Sequence, residues 1–433
     1  MIADSIRKEL FLNLLRGEFG IEKESLRVTA DGKLAQTTHP QIDAAGISRD
    51  FSESQVEFIS GVHEEVRGAC QEICMLQEQM EQVLRKRTEG AEFLWNYSNP
   101  PLYDSPDSIR IAAFDGEYAE KTAYRSYLAQ KYGKVKMLYS GVHLNYSLPR
   151  EFFRVLEQAS DKDCLTGRKN GWYLRLCDVL MSDSWLIVAL TAASPVADPT
   201  FLQQLGVPEE EYGAYASFRS SRYGYWNDFL PELNYHSFKA YLSGIEADIA
   251  SGKISSIQEL YYPIRLKPRG ANTLEQLKET GINHIELRMF DLNPDCCAGV
   301  AVRDLIFVHL LIAYRMAQML SACGSHLPVP DARGTRDSER LLLHQRAARL
   351  DFWDEEEAYR RQALALLGDM REFYRHYEIQ GGYIPTGYPI EKILTFEEEK
   401  IRFPQKRYAV ISRKRYQDAY ITERMKEIRR SQI

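Results

Sequence analysis

Glu22 and Glu24 stand two residues apart in Gly20-Ile21-Glu22-Lys23-Glu24-Ser25-Leu26-Arg27-Val28, a segment that reads as a β-strand. Strand residues two apart share a face, so the two carboxylates project side by side. In a water-poor site such neighbours repel unless a cation lies between them. A hard divalent ion such as Mg²⁺ takes oxygen ligands and leaves positions open for phosphate oxygens. The pair therefore points to metal-assisted phosphoryl chemistry; taken alone it is a weak signal, since acidic pairs are common on the wet face of a surface strand.

Three further segments carry groups of the same kind. Asp50-Phe51-Ser52-Glu53-Ser54-Gln55-Val56-Glu57-Phe58-Ile59 reads as a turn followed by a strand. Gln55, Glu57 and Ile59 share one face there, and Asp50, a turn earlier, could reach one pocket with Glu57; the same spacing fits a cap at Asp50 and a surface strand at Glu57. Ser140 to Leu148 alternates strictly, with Val142, Leu144, Tyr146 and Leu148 on one face and His143, Asn145 and Ser147 on the other. A neutral imidazole at 143 suits a metal ligand, a phosphate contact or a plain hydrogen bond. In His284 to Asp291 the residues Ile285, Leu287 and Met289 are expected to face the core, leaving Glu286 and Arg288 together opposite. Those two could simply pair, or divide the work, with the carboxylate on metal and the guanidinium on developing negative charge. Cations also lie beside aromatics in Tyr124-Arg125, in Ser217 to Tyr225 (Arg219, Arg222) and in Tyr261 to Lys267. Arginine matches a carboxylate in a bidentate fork, which suits an amino-acid substrate, although each pair also fits ordinary packing.

The elements that must position these groups read as α+β. Short strands are scattered among helices instead of alternating regularly with them. The strand candidates are Gln55 to Ile59, Ser140 to Leu148, Leu260 to Lys267 and His284 to Asp291. From Glu64 to Arg87 the residues Val66, Cys70, Ile73, Leu76, Met80, Val83 and Leu84 recur at helical spacing, and Asp337 to Tyr377 is helix-rich. The chain has 433 residues, 44% hydrophobic and 27% charged, and is expected to form one catalytic unit over 1–433, with 320–433 its helix-rich C-terminal portion. A net charge of −6 gives no electrostatic case for nucleic acid. Only the stretch from Lys400 to Ile433 is basic, with acidic relief at Asp418, Glu423 and Glu427, and it reads as a solvated helical segment.

Seven cysteines (Cys70, Cys74, Cys164, Cys177, Cys296, Cys297, Cys323) form no metal-type C-x-x-C pattern and fit a reducing cytosol. The N-terminus has no secretory apolar region. The apolar run Val300 to Leu320 carries Arg303, Asp304, His309 and Arg315, as a buried core helix would and a membrane span would not. No Gly-x-Gly-x-x-Gly or Walker loop occurs, so any ATP must be held in another way.

Together and in order, Gly-Ile-Glu-Lys-Glu-Ser-Leu-Arg-Val, Asp-Phe-Ser-Glu-Ser-Gln-Val-Glu-Phe-Ile, Ser-Gly-Val-His-Leu-Asn-Tyr-Ser-Leu and Ile-Glu-Leu-Arg-Met-Phe-Asp-Leu-Asn-Pro resemble the bacterial glutamate–cysteine ligases, including the ligase half of bifunctional glutathione synthetases. The similarity runs from about Phe19 to Met316. It implies a glutamine-synthetase-like fold, a curved and largely antiparallel sheet forming an active-site funnel surrounded by helices. It implies ATP-dependent phosphorylation of the γ-carboxylate of L-glutamate and attack on the acyl phosphate by the amine of L-cysteine. The metal ligands then fall on Glu22, Glu24, Asp50, Glu57, His143 and Glu286, holding two or three Mg²⁺ ions, with Mn²⁺ as a substitute. Substrate contacts fall on Tyr124, Arg125, Arg219, Tyr225, Tyr261 and Arg288, with Glu22 and Arg288 as the catalytic pair. The resemblance further implies a cytoplasmic enzyme of small molecules, monomeric or a small homo-oligomer, with neither nucleic acid nor membrane as partner. No second ATP-binding unit is evident in the chain, so a monofunctional ligase is the expectation. One departure stands out: after Asn293-Pro294 the chain continues Asp295-Cys296-Cys297, where the family commonly has an apolar residue. Two rivals are the same chemistry on another amine and a non-catalytic ligand-binding homologue.

Overall fold

The computed structural model describes residues 4–42, 44–87, 90–157, 169–322, 337–416 and 420–431. Cys164, Cys323 and Asp418 lie outside the described residues. Seven strands, β1 (Glu18–Thr29), β2 (Ile47–Arg49), β3 (Gln55–Ile59), β4 (Glu92–Trp95), β5 (Gly141–Ser147), β6 (Ile264–Lys267) and β7 (His284–Asp291), join in one sheet. Its order is β2-β3-β1-β5-β7-β6, and every pairing is antiparallel. β1 is long enough to take β5 along its first half and β4 along its second, on the edge opposite β3. The ends of the order do not meet, so the sheet is open. Helices interspersed with an antiparallel sheet give the expected α+β class.

The alternation in sequence decides the two faces. Phe19, Ile21, Val56, Phe58, Val142, Leu144, Ile285 and Leu287 are buried on one face. They pack on the helices Val66–Arg85, Lys169–Thr191 and Val302–Ala322. Each such large apolar side chain contributes about 1.5–3 kcal/mol by leaving water. Truncating one, as in Ile21→Ala, costs about 2–5 kcal/mol because the packed layer cannot collapse into the gap. The opposite face keeps the polar partners of this alternation and is closed at its margins by a second cluster that includes Leu26, Val28, Phe51, Tyr97, Tyr139 and Phe218.

The helix Val302–Ala322 is apolar enough by composition to cross a membrane, yet it is packed inside the fold. Its ionisable groups are matched there: Arg315 makes two 2.7 Å contacts to Asp183, and Asp304 lies 3.1 Å from Lys400.

Two expectations are corrected. The strand expected over Leu260 to Lys267 begins only at Ile264. Pro263 has no N–H for a ladder, and the Tyr261 N–H is taken by the Asn227 side chain at 2.8 Å. In β7 the register against β5 shifts between Val142 and Leu144, so Arg288 and Met289 together oppose His143. The bulge changes the alternation: Phe290, one residue after the expected core position Met289, pairs with Val142 in the core, and Asp291 returns to the polar face.

Candidate functional site

The polar face of the sheet brings together side chains from β1, β3, β5 and β7. Glu22 is directly opposite His143 and Glu24 directly opposite Glu57, while Asn145 faces Glu286 and Glu286 faces Arg265. Directly opposed residues point to the same side, so register alone gathers these groups. Glu22 accepts from Asn145 at 3.0 Å and meets the His143 ring Nδ1 at 3.1 Å. His143 Nδ1 is 4.0 Å from Glu286, and Nε2 is 3.8 Å from Glu24. Ligand atoms of Glu22, His143 and Glu286 all lie within 4.8 Å of one another.

Burial sets the electrostatics. His143 is held neutral, its pKa lowered to about 4, by burial and then by the Arg288 guanidinium. With Nδ1–H directed to the Glu22 carboxylate, Nε2 carries a lone pair, and among the described residues that buried atom has no hydrogen-bond partner. Burial is the largest influence on Glu22 and opposes its ionisation, but the His143 hydrogen bond together with the charges of His143 and Lys267 brings the carboxyl to about 2. Glu24 behaves in the opposite way: burial and the nearby Asp50 push it up to about 8. Burial also raises Asp50, and burial with Asp50, Glu22 and Glu24 raises Glu57 well above its usual range. Such a set of carboxylates is at odds with itself until a cation joins it. An unpartnered imidazole nitrogen beside crowded, buried carboxylates is the donor set that hard divalent ions take, so the residues fit Mg²⁺.

Glu286 is fully buried and clamped by three cations: Arg265 at 2.6 Å, Arg288 at 3.2 Å and Lys267 at 3.4 Å. Burial opposes its ionisation, and these cations nonetheless hold it well below the usual carboxylate range. The contacts of Arg265 and Lys267 with Glu286 escaped the sequence reading, which placed both only beside aromatics; a cross-strand register is not written in either segment.

Arg288 also approaches His143, at 3.4 Å, so it stands at the edge of the carboxylate group. Beside it a cavity is lined by Arg219, Tyr225, Trp226, Tyr261 and Tyr262. The Arg219 guanidinium lies over the backbone of Gly141, where a Cβ would stand 2.4 Å from its central carbon. A glycine is required there by the close approach, and its N–H donates to Glu24 at 2.9 Å. Tyr225 and Tyr261 pack with ring centroids 4.1 Å apart, and Tyr124 reaches the same group from the helix Ala119–Tyr132.

Arg125 is turned differently: it donates to the backbone carbonyls of Asp50, Arg49 (3.3 Å) and Lys121 (3.1 Å). In this arrangement it fixes the loop bearing Asp50 and does not project into the cavity. Two positioning groups were not singled out from sequence. Asn227 binds Tyr132, the Glu259 carbonyl and the Tyr261 N–H, and Asp291 ties Ala193, Ser194 and Ser217 to the end of β7.

Comparison with known proteins points to one family. A family model described as glutamate–cysteine ligase matches residues 4–325. The bifunctional glutathione biosynthesis protein of Listeria innocua is 33% identical over 420 residues, covering 94% of this chain and 52% of that protein. Its counterpart from Pasteurella multocida is 32% identical over 314 residues, 71% of this chain and 40% of that protein. The chain thus spans about half the length of such curated relatives. Among solved structures, the bifunctional glutathione synthetase of Pasteurella multocida superposes with a TM-score of 0.79 at 25% identity, over 100% of this chain and 55% of that one. The glutamate–cysteine ligase of Francisella tularensis, solved with AMP, shares the fold with a TM-score of 0.75 at 20% identity, over 96% of this chain and 88% of that one. A model match from residue 4 to residue 325, with a relative one-third identical along nearly all of the sequence, has one meaning: the chain belongs to the glutamate–cysteine ligase family.

Proposed function

We propose that this chain joins the γ-carboxylate of L-glutamate to the amine of L-cysteine at the expense of ATP, through a γ-glutamyl phosphate, giving γ-glutamylcysteine. The observation that carries the reading is the Glu22–His143–Glu286 group, its histidine and Glu286 buried and Glu22 partly so, with Arg288 at its edge on the polar face of the sheet. In the first step a γ-carboxylate oxygen attacks the terminal phosphorus of ATP and ADP leaves. In the second the amine attacks the acyl carbon, phosphate departs with that oxygen, and the amine proton is lost.

Glu22, Glu24, Asp50, Glu57, His143 and Glu286 are the residues that would hold two or three Mg²⁺ ions, with Mn²⁺ as a substitute. Bound there, the metal neutralises the approach of two anions. Asn145 and Glu22 fix the orientation of His143, leaving its Nε2 lone pair toward Glu24. Arg265 and Lys267 satisfy Glu286, which in turn aims Arg288 at the place where phosphoryl charge develops. Arg219 is suited to a substrate carboxylate, and Tyr124, Tyr225 and Tyr261 wall the acceptor side and exclude water. Arg125 acts through Asp50.

On this reading residues 1–433 work as one catalytic unit on small molecules in the cytoplasm, as a monomer or small homo-oligomer, without nucleic acid or membrane. ADP release in Mg²⁺, ATP and L-glutamate, with L-cysteine or a panel of other amines, tests it. Stimulation by cysteine with a product of γ-glutamylcysteine mass supports the proposal. Stimulation by another amine alone keeps the chemistry and changes the acceptor; no ATP turnover with any amine overturns it.

A further inference from the structure

The cavity beside Arg288 is the innermost of three that adjoin. Trp226 and Tyr261 form a wall common to it and a second cavity of 230 Å³. Lys136 and Arg222 are common to the second and a third, of 510 Å³. Cations mark the whole file: Arg288 and Arg219 line the first, Lys136 and Arg222 the second and third, and Lys134 the third alone. The third reaches the surface, where its lining residues Gly133, Gln204 and Arg222 are exposed.

Local structure sets the two lysines at this cavity. The helix Ala119–Tyr132 stops at Gly133, whose φ of +81° suits a residue without a Cβ. Val135 is then buried in the cluster that closes the margin of the polar face, with Met137 and Leu138. Lys134 and Lys136, on either side of it, are left to the cavity. Lys134 donates to the backbone carbonyls of Ile109 at 3.0 Å and Asp107 at 3.5 Å, neutral acceptors that leave its charge uncompensated. Lys136 is half-buried and, among the described residues, has neither a hydrogen bond nor an ion pair. Arg222 spends only Nη2, on Glu211 at 2.5 Å and the Tyr223 hydroxyl at 2.7 Å, so Nε–H and Nη1–H are left over. The one carboxylate on the walls is Asp228, in the second cavity, whose charge bears on Lys136. A half-buried ammonium without a partner, a second held only by carbonyls and a guanidinium with spare donors make a site for an oxyanion.

Charge decides which oxyanion. On the proposed ligase reading the acceptor amino acid is a zwitterion of no net charge, whereas the phosphate set free beside Arg288 carries roughly one to two negative charges. Phosphate is thus the one attracted at each cation of the file. We propose that the cavity of Lys134, Lys136 and Arg222 is a site for free inorganic phosphate, taken up on its way from Arg288 to solvent. The exit role rests on the ligase reading; binding of the ion does not.

The test titrates inorganic phosphate into the chelator-treated full chain, without nucleotide or amino acid, by calorimetry and ³¹P NMR, with sodium chloride at equal ionic strength as the blank. Wild type should bind saturably, and Lys136→Gln should weaken binding at least about tenfold. Lys136→Arg should restore most of the affinity, and Arg288→Gln should leave it unchanged. Since Lys136 has no partner to lose, Lys136→Gln should melt with the wild type. Absence of saturable binding, a chloride response equal to that of phosphate, or an affinity that follows Arg288 and not Lys136 would overturn the proposal. Ribose 5-phosphate bound through Lys136 more tightly than the free ion would assign the site to phosphate esters and overturn the free ion. During turnover, phosphate should appear later after ADP formation in Lys136→Gln than in wild type; an unchanged interval would overturn the exit role. The titration needs no turnover, so failure of the ligase reading is seen separately.

Discussion

Replacing Glu24 by glutamine should stabilise the metal-free protein while removing its ability to respond to Mg²⁺. In the unfolded chain this carboxyl titrates near 4.5; in the fold, burial and the charge of Asp50 bring it to about 8. Since the folded pKa is the higher one, the group's contribution to stability is fully present below pH 4.5. It is lost as pH rises through 8. At pH 7 the unfolded side chain is ionised and the folded one mostly protonated. That mismatch of about 2.5 pH units corresponds to roughly 3 kcal/mol against folding. Glutamine keeps an oxygen for the Gly141 N–H and has no proton to gain, so it removes this cost. The assay is thermal unfolding of chelator-treated wild type and Glu24→Gln across pH 5 to 8, then again in Mg²⁺. The variant should melt several degrees higher at pH 7 without metal, show a flatter pH dependence, and gain little from Mg²⁺. A variant that melts lower than wild type without metal, or that gains as much from Mg²⁺, would refute the reasoning.

Other consequences follow from the same geometry. Glu286→Gln leaves Arg265, Lys267 and Arg288 without their buried counter-charge and should cost about 3–5 kcal/mol in urea unfolding; a loss under about 1 kcal/mol would contradict the clamp. Arg288→Gln should lower kcat by about 10²–10³-fold with a much smaller change in KM for glutamate, as steady-state kinetics will report. Apparent Mg²⁺ affinity of the wild type, read by titration calorimetry, should rise steadily from pH 6 to 8, by up to about tenfold per pH unit for the proton that Glu24 gives up; an affinity flat over that range would contradict the raised Glu24. Asn227→Ala frees the Tyr261 backbone and should raise KM for the amine more than it lowers kcat.

The sequence was most legible where one short period governed a segment. Gln55–Ile59 and His284–Asp291 fold as strands with the expected bounds, because alternating apolar residues must face the helices. That Glu22 and Glu24 share a face also follows from alternation, while their pairing with His143 and Glu57 is a matter of register. What could not be read is which strand lies beside which, and in what register. The Glu286 clamp depends on β6 pairing β7 at Arg265, and the Arg288 position on a bulge that no residue type announces. Lys23 defeats the pattern in another way: it occupies a core-facing position and is tolerated because Gln77 and the Cys297 carbonyl satisfy it. Arg125 is named as a substrate contact through the family resemblance, and its bonds to three carbonyls depend on the path of the Asp50 loop, which the sequence does not show.

The central claim is that a γ-carboxylate is activated by phosphoryl transfer on this face of the sheet. Turnover of L-glutamate labelled with ¹⁸O in the γ-carboxylate, with ATP, Mg²⁺ and L-cysteine, tests it directly through the mass of the released phosphate. The account predicts one ¹⁸O atom in each phosphate for every γ-glutamylcysteine formed, since the oxygen that attacks ATP leaves with phosphorus. Product formed with unlabelled phosphate would contradict the acyl phosphate, whatever the rate of ATP consumption.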